Sequence, residues 1–299
     1  MKLTRLRADG ILLLTAMIWG TGFVAQKGAV DHMAAPLFLG GRFLLSALMV
    51  APLAWRDWRA SGQAGQKIDI RLAVLIGLCL MFGNGLQQYA LSTTSVTNAG
   101  FLTALYMAFV PFVERMMTGR SLRPVALIAC TLALIGAWLL SGGVSLSHFS
   151  TGDMLLVIGA VIWAFHITLI NRFQAHYQRP YVLSIIQYLV TACGGLGFGL
   201  LFYGIPHHSD MIAVIPGLFY AGIISGGLAF TLQIIAQRYT PPAEASIIMA
   251  TEGVFAALAG SVFMGDYLTT SGIIGCILIM VGVLLVELWP TQNKLAVPL

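Results

Sequence analysis

Residues 86–140 read LQQYALSTTSVTNAGFLTALYMAFVPFVERMMTGRSLRPVALIACTLALIGAWLL, and residues 232–286 read LQIIAQRYTPPAEASIIMATEGVFAALAGSVFMGDYLTTSGIIGCILIMVGVLLV. They are one pattern written twice. Under a constant shift of ~146 positions they align without a gap, as the halves of an internal repeat do. Leu86, Gln87, Ala90, Thr94 and Ala99 recur as Leu232, Gln233, Ala236, Thr240 and Ala245. Ala104, Phe109, Gly119, Leu122, Cys130, Leu132, Gly136 and Leu139 recur as Ala250, Phe255, Gly265, Leu268, Cys276, Leu278, Gly282 and Leu285. Apolar residues coincide by chance in an apolar chain. A matched Gln, Thr and Cys, with glycines in register, do so far less often. A fainter echo at ~144 pairs Ala16-Met17-Ile18-Trp19 with Ala160-Val161-Ile162-Trp163. The chain reads as two halves of one ancestral unit, 9–141 and 152–289.

The composition assigns those halves to a membrane. Of 299 residues, 58% are hydrophobic and 9% charged, and the mean hydropathy is +0.88. A soluble chain carries about 25% charged residues. The net charge of +5 is not a nucleic-acid footprint, because the basic residues stand in short clusters between apolar runs. Cys79, Cys130, Cys193 and Cys276 lie inside those runs and read as small buried hydrophobes. The basic start, Met1 to Arg7, leads into an apolar run without a small-x-small cleavage pattern and reads as an uncleaved first span.

A spanning helix needs about 20 apolar residues. Ten segments fit: 9–28, 35–55, 71–92, 98–117, 123–141, 152–171, 180–203, 211–236, 243–264 and 269–289. Spans three and four are joined only by Ser92 to Thr97, and spans eight and nine only by Gln237 to Pro242, so tight hairpins stand at equivalent places in the two halves. Pro241-Pro242 cannot continue a helix. Asn98 and Glu244, just past the hairpins, suit a helix N-terminus.

Positive charge alternates from loop to loop. Lys2, Arg5 and Arg7 precede span one; Arg56, Arg59, Lys67 and Arg71 follow span two; Arg115, Arg120 and Arg123 follow span four. Arg172 and Arg179 follow span six, Arg238 follows span eight and Lys294 span ten, while the alternate loops carry His207, His208, Asp210 and Asp266. The positive-inside rule then places both termini in the cytoplasm. Five spans per half is an odd number, so equivalent helices run in opposite directions. The fold expected is all-α and transmembrane, ten helices as two inverted five-helix repeats. Many secondary transporters are built this way, because two inverted copies give two pseudo-equivalent conformations.

At these residues the chain resembles a known family. Ala16-Met17-Ile18-Trp19-Gly20-Thr21-Gly22-Phe23 and Gly41-Arg42-Phe43 are similar to the opening of an EamA-type domain. Ala99-Gly100-Phe101-Leu102-Thr103-Ala104-Leu105-Tyr106, leading to Pro111, is similar to that family's fourth helix. Thr251-Glu252-Gly253-Val254-Phe255-Ala256-Ala257-Leu258, Gly265-Asp266 and Gly275 to Gly282 resemble its ninth and tenth. Gly253 stands where proline is common and Asp266 where glutamate is common. The resemblance, to the drug/metabolite transporter superfamily, implies ten helices in a bacterial cytoplasmic (inner) membrane, alternating access, and a monomer or homodimer. Its bacterial members include exporters of amino acids and other metabolites.

The candidate substrate-binding residues are polar or aromatic groups deep in the spans. Trp19 and Trp163 fall at mid-depth, away from the interfaces that tryptophans prefer. The repeat puts them around the pseudo-axis, as cavity walls or as packing between helices. Phe23 lies one turn beyond Trp19. Asn84, Gln87, Gln88 and Gln233 are intramembrane amides, which bond neighbouring helices or meet substrate. Phe101, Tyr106 and His166 complete the set, with His166 close to one turn from Trp163. Glu252 and Arg42 are deep charges, each costing about 2.5–3.5 kcal/mol to insert alone. They read either as an ion pair or as separate groups, Glu252 then carrying a coupling proton or meeting a substrate ammonium. Gly195-x-x-x-Gly199 is a helix-packing motif.

Neither a Walker A nor an HExxH or paired-cysteine metal pattern occurs, so no cofactor, metal or catalytic residue is expected. The reading is a secondary carrier of small organic solutes in the lipid bilayer, exporting amino acids, aromatic or apolar ones included. A lone deep cation disfavours strongly anionic cargo. The alternatives are a lipid or polyprenyl-carrier translocator of the same superfamily and an intramembrane lipid-modifying enzyme. The scattered acids argue against the enzyme.

Overall fold

Local chemistry at the ends of the apolar runs fixes where each helix starts and stops. The computed structural model describes residues 3–29, 31–63, 67–119, 121–141, 150–265 and 267–289. Lys2, Arg120, Asp266 and Lys294 lie outside them. Asp69, Ser95, Ser150 and Thr269 each cap a helix by accepting a backbone N–H three residues on. Ser150 and Asp153 cap reciprocally, as a capping box does. The repeat-matched glycines Gly119 and Gly265 both terminate helices in the left-handed conformation, at φ of 69° and 75°, where a Cβ would be strained.

Among the described residues ten helices result: α1 Arg5–Lys27, α2 Ala35–Gln63, α3 Ile70–Ala90, α4 Val96–Thr118, α5 Pro124–Leu140, α6 Thr151–Tyr177, α7 Pro180–Tyr203, α8 His208–Ala236, α9 Pro242–Met264 and α10 Thr270–Leu288. Nine are long and apolar enough to span a membrane, and α5 is shorter, at 17 residues. Among the described residues all regular structure is helical. Several helices outrun the apolar segments. Arg56 and Arg59 are helical residues of α2, not loop residues, and Arg5 and Arg7 belong to α1. A hydropathy window stops at the first charges, whereas a helix continues until its backbone is capped. Asp210, likewise, stands in the first turn of α8.

Helix pairs follow the inverted repeat. α2 packs on its own counterpart α7, and α5 on its counterpart α10. The α3–α6 contact matches α8–α1, and α4–α6 matches α9–α1. Small residues set the close approaches. A Cβ on Gly195 would lie 2.7 Å from the Gly40 nitrogen and 2.9 Å from the Pro36 oxygen, and one on Gly199 2.6 Å from a Leu37 methyl. This is the packing read from Gly195-x-x-x-Gly199. The outward faces carry apolar residues such as Leu48, Leu201 and Val262, at 64–76% exposure. A lipid-facing surface needs no burial, which is why Cys193 is exposed instead of buried as expected.

Three helices are irregular. α4 breaks at Leu105 into Val96–Ala104 and Tyr106–Thr118, and α9 breaks at Ala250–Thr251 into Pro242–Met249 and Glu252–Met264. The breaks fall at repeat-equivalent positions. At each, the ladder tightens to shorter bonds, Ala108 N to Leu105 O at 2.9 Å and Gly253 N to Ala250 O at 3.2 Å. In α8, residues Tyr220–Phe230 form a π-helix. Its wide turns release carbonyls to neighbouring side chains. Ser46 Oγ donates to Gly222 O (2.7 Å), Trp19 Nε1 to Ser225 O (3.2 Å) and Tyr188 Oη to Gly226 O (3.0 Å).

Candidate functional site: a central cavity between two hairpin latches

The breaks, the π segment and the paired tryptophans converge on one narrow, partly open cavity of about 30 Å³. Trp19 and Phe23 of α1 line it, with Arg42 of α2, Asn84 and Gln87 of α3, and Tyr106 of α4. Trp163 of α6, Gln233 of α8 and Glu252 of α9 close it. Five further lining residues were not anticipated: Gln26, Thr103, Ile167, Ser225 and Phe230. Of the sequence-derived candidates, Gln88, Phe101 and His166 lie off the lining. Gln88 Nε2 donates to Gln26 O at 3.1 Å, Phe101 is packed in the apolar core, and His166 Nε2 meets Gln187 Oε1 at 3.1 Å. His166 is still edge-on to Trp163, with ring centroids 5.2 Å apart.

Phe230 holds the apolar wall together. Its ring lies 4.6 Å from Trp19 and is stacked on Trp163 at 5.9 Å and 12°. Such contacts are worth about 0.5–1.5 kcal/mol each beyond burial. Gly83 lets the Trp163 ring lie against the α3 backbone, since a Cβ there would come within 3.0 Å of it.

The polar wall is under-satisfied. Gln26 Oε1, Arg42 Nε, Thr103 Oγ1, Tyr106 Oη, Gln233 Oε1 and Glu252 Oε1 are buried without a partner at hydrogen-bond geometry. An unpaired buried polar group costs about 1–3 kcal/mol, and six such atoms share this lining. Arg42 donates to Asn84 through Nη2 and lies 5.0 Å from the Phe43 ring. Glu252 faces Tyr106, its repeat equivalent, both directly past a helix break. Among the described residues no ion pair joins Arg42 and Glu252.

Above and below the cavity stand two matched latches. At one end Asp153 accepts from Thr94 Oγ1 (3.1 Å) and Asn98 Nδ2 (2.7 Å), while Lys27 Nζ donates to Leu91 O and to Thr94 O (3.1 Å). At the other, Asp9 accepts from Thr240 Oγ1 (2.5 Å), while Asn171 Nδ2 donates to Gln237 O (2.7 Å) and Thr240 O (3.4 Å). Each residue of one latch maps onto the other by the repeat shifts. Asp9 and Lys27 lie 18 positions apart on α1, about 27 Å along its axis, with Trp19 between them. The second latch is more highly charged, because Glu244 stands where Asn98 does. Arg5 bridges Asp9 and Glu244, and Arg123 meets Glu244 at 2.5 Å. Both sets of contacts are formed.

A bundle of ten apolar helices in two inverted halves, with a cavity of mixed polar and aromatic lining midway, is the architecture of a membrane transporter. The chain belongs to the EamA-like transporter family, which matches it twice, at residues 6–142 and 150–288. An uncharacterized transporter of Archaeoglobus fulgidus is 29% identical over 95% of this chain and 87% of its own. A probable amino-acid metabolite efflux pump of Salmonella typhimurium is 28% identical over 92% and 93%. The threonine/homoserine exporter RhtA of Escherichia coli K12 is 28% identical over 87% and 84%. A crystal structure matches with a TM-score of 0.73 at 20% identity, over 97% of this chain and 100% of that one, a likeness of fold alone.

Proposed function

We propose that the protein is a secondary carrier that exports amino acids, including apolar and aromatic ones, across a bacterial cytoplasmic membrane. The observation that carries this reading is the cavity itself. It joins an aromatic wall to one buried cation, one buried anion and several uncharged donors and acceptors. A small amphipathic solute matches that lining, and the amino-acid exporters among the relatives support the same class. Trp19, Phe23, Asn84, Gln87, Tyr106, Trp163, Gln233, Arg42 and Glu252 are its contacts, with Gln88, Phe101 and His166 packed behind them. Halves 9–141 and 152–289 alternate, the Asp153 latch opening outward and the Asp9 latch inward, with both termini in the cytoplasm. Glu252 is the group placed to carry a proton if export is driven by one.

Counterflow in proteoliposomes tests the substrate class. Vesicles loaded with unlabelled leucine, phenylalanine or threonine should accumulate the labelled form transiently, whereas protein-free vesicles should not. Exchange confined to organic anions, or lipid scrambling without amino-acid counterflow, would reject the reading. Orientation has its own check. A cysteine replacing the exposed Gly62 at the end of α2, in a background without the four native cysteines, should resist impermeant maleimide in whole cells and react in inverted vesicles. The opposite pattern would reverse the assignment of the two latches.

A further inference from the structure

We infer that the cavity binds its amino acid in one fixed polarity, the α-carboxylate on Arg42 and Asn84 and the α-ammonium on Glu252 and Tyr106. The inference rests on the amino-acid reading above and adds to it which charge of the substrate each group takes.

The two charges are buried at 2% and 4% exposure, line the same cavity and leave each other unpaired. A neighbouring pair would neutralise itself and need no ligand. Here the charges sit on different helices, α2 and α9, each backed by a polar partner suited to one end of a zwitterion. Arg42 uses Nη2 on Asn84 and keeps Nε free, leaving an edge that can grip a carboxylate with two parallel bonds. Asn84 in turn is anchored, its Nδ2 donating to Leu80 O at 3.1 Å, so its oxygen fixes the guanidinium. Glu252 and Tyr106 face each other, Oε1 and Oη have no partner at full hydrogen-bond geometry, and both oxygens can accept from an ammonium. With both groups ionised the pair carries no net charge, which matches a zwitterion and neither a free acid nor a free amine. An analogue lacking one charge leaves one buried ion unpaired, and sites built on buried polar groups discriminate strongly against such omissions. The substrate side chain then faces the Trp19, Phe230 and Trp163 rings.

Three probes of one shape separate the charges: phenylalanine, phenethylamine without the carboxylate, and 3-phenylpropionate without the ammonium. Binding to the purified full-length protein is measured by competition against labelled phenylalanine. In the wild type both analogues should compete at least about tenfold more weakly than phenylalanine, a difference of 1.4 kcal/mol or more. In Arg42→Gln the preference for phenylalanine over phenethylamine should vanish while that over 3-phenylpropionate persists. Glu252→Gln should do the reverse, with direct binding of the labelled analogues as readout where phenylalanine no longer binds. Arg42→Lys should restore part of the carboxylate preference. Equal loss of all three probes in both variants, with each folded by size exclusion, would overturn the assignment, and so would the opposite crossing. If either variant fails to fold, the wild-type competition decides: an analogue matching phenylalanine overturns the assignment. A wild type that binds no amino acid would instead reject the functional reading on which this polarity rests.

Discussion

Trp163→Ala is expected to lower amino-acid counterflow at least about tenfold while the protein still inserts and purifies as a monodisperse species. Insertion depends on the apolar length of α6, whose mean hydropathy over its best window is 2.1, and one indole changes that little. The cavity wall depends on it far more. Trp163 is the face on which Phe230 stacks, and Phe230 also contacts Trp19, so removing the indole loosens both remaining rings. Truncating a buried aromatic costs about 3–5 kcal/mol in stability, and that cost must be separated from lost substrate contact. Two controls do so. Trp163→Phe keeps a ring against Phe230 and should retain most transport. Phe101→Ala removes a buried ring from the core without touching the cavity, so its folded fraction should transport with an unchanged KM. Wild-type counterflow by Trp163→Ala, or equal KM shifts in both alanine variants, would remove Trp163 from the substrate path.

Much of this architecture is legible in the sequence, because bilayer thickness and repeat register act on long stretches. The ten spans, the paired hairpins and the Gly119/Gly265 terminators follow from apolar length and matched punctuation. The tryptophans follow from a four-residue echo. Selecting cavity residues is harder. Helices buried in protein and facing lipid are apolar all round, so no amphipathic stripe says which face looks inward. Phe230 takes the repeat position of Asn84, so no identity links them. Ser225 matters through a carbonyl released by a π turn, and backbone groups leave no mark on side-chain patterns; the Gly222, Gly226, Gly227 run was the available hint. His166 and Gln187 satisfy each other, and two polar residues on separate spans do not announce their pairing. The latch aspartates were readable in principle. Asp9 and Asp153 share the register of Trp19 and Trp163, but a single matched acid seven positions before the echo is inconspicuous. Lys27 and Asn171 share the position and the carbonyl partners without sharing the residue.

Those latches yield a matched experiment, since the same substitution at two equivalent sites should push the carrier in opposite directions. Thr94→Val and Thr240→Val each replace a hydroxyl by a methyl of similar size. The first removes the bond to Asp153 and the acceptor for Asn98 Nδ2 (2.9 Å); the second removes the bond to Asp9. Losing a bond to a buried carboxylate costs about 1–3 kcal/mol, and a cost borne only by the closed state of one latch shifts the equilibrium about 5- to 150-fold towards opening at that end. Thr94→Val loses two bonds and should shift further. Thr240→Val leaves Asp9 held by Arg5 at 3.3 Å, a contact that partial exposure weakens. A single cysteine at Ser225, small and on the cavity lining, reports the access. With impermeant thiol reagent, Thr94→Val should speed labelling from outside and slow it from inside, and Thr240→Val should do the opposite. Membrane insertion should be unchanged, because both sites lie in hairpins at the ends of spans. Labelling that rises from both sides in either variant would mean general loosening, and labelling unchanged from both would mean that the hairpins are fixed scaffolding. Opposite shifts would tie the inverted repeat to alternation, with each half holding one door by the same threonine.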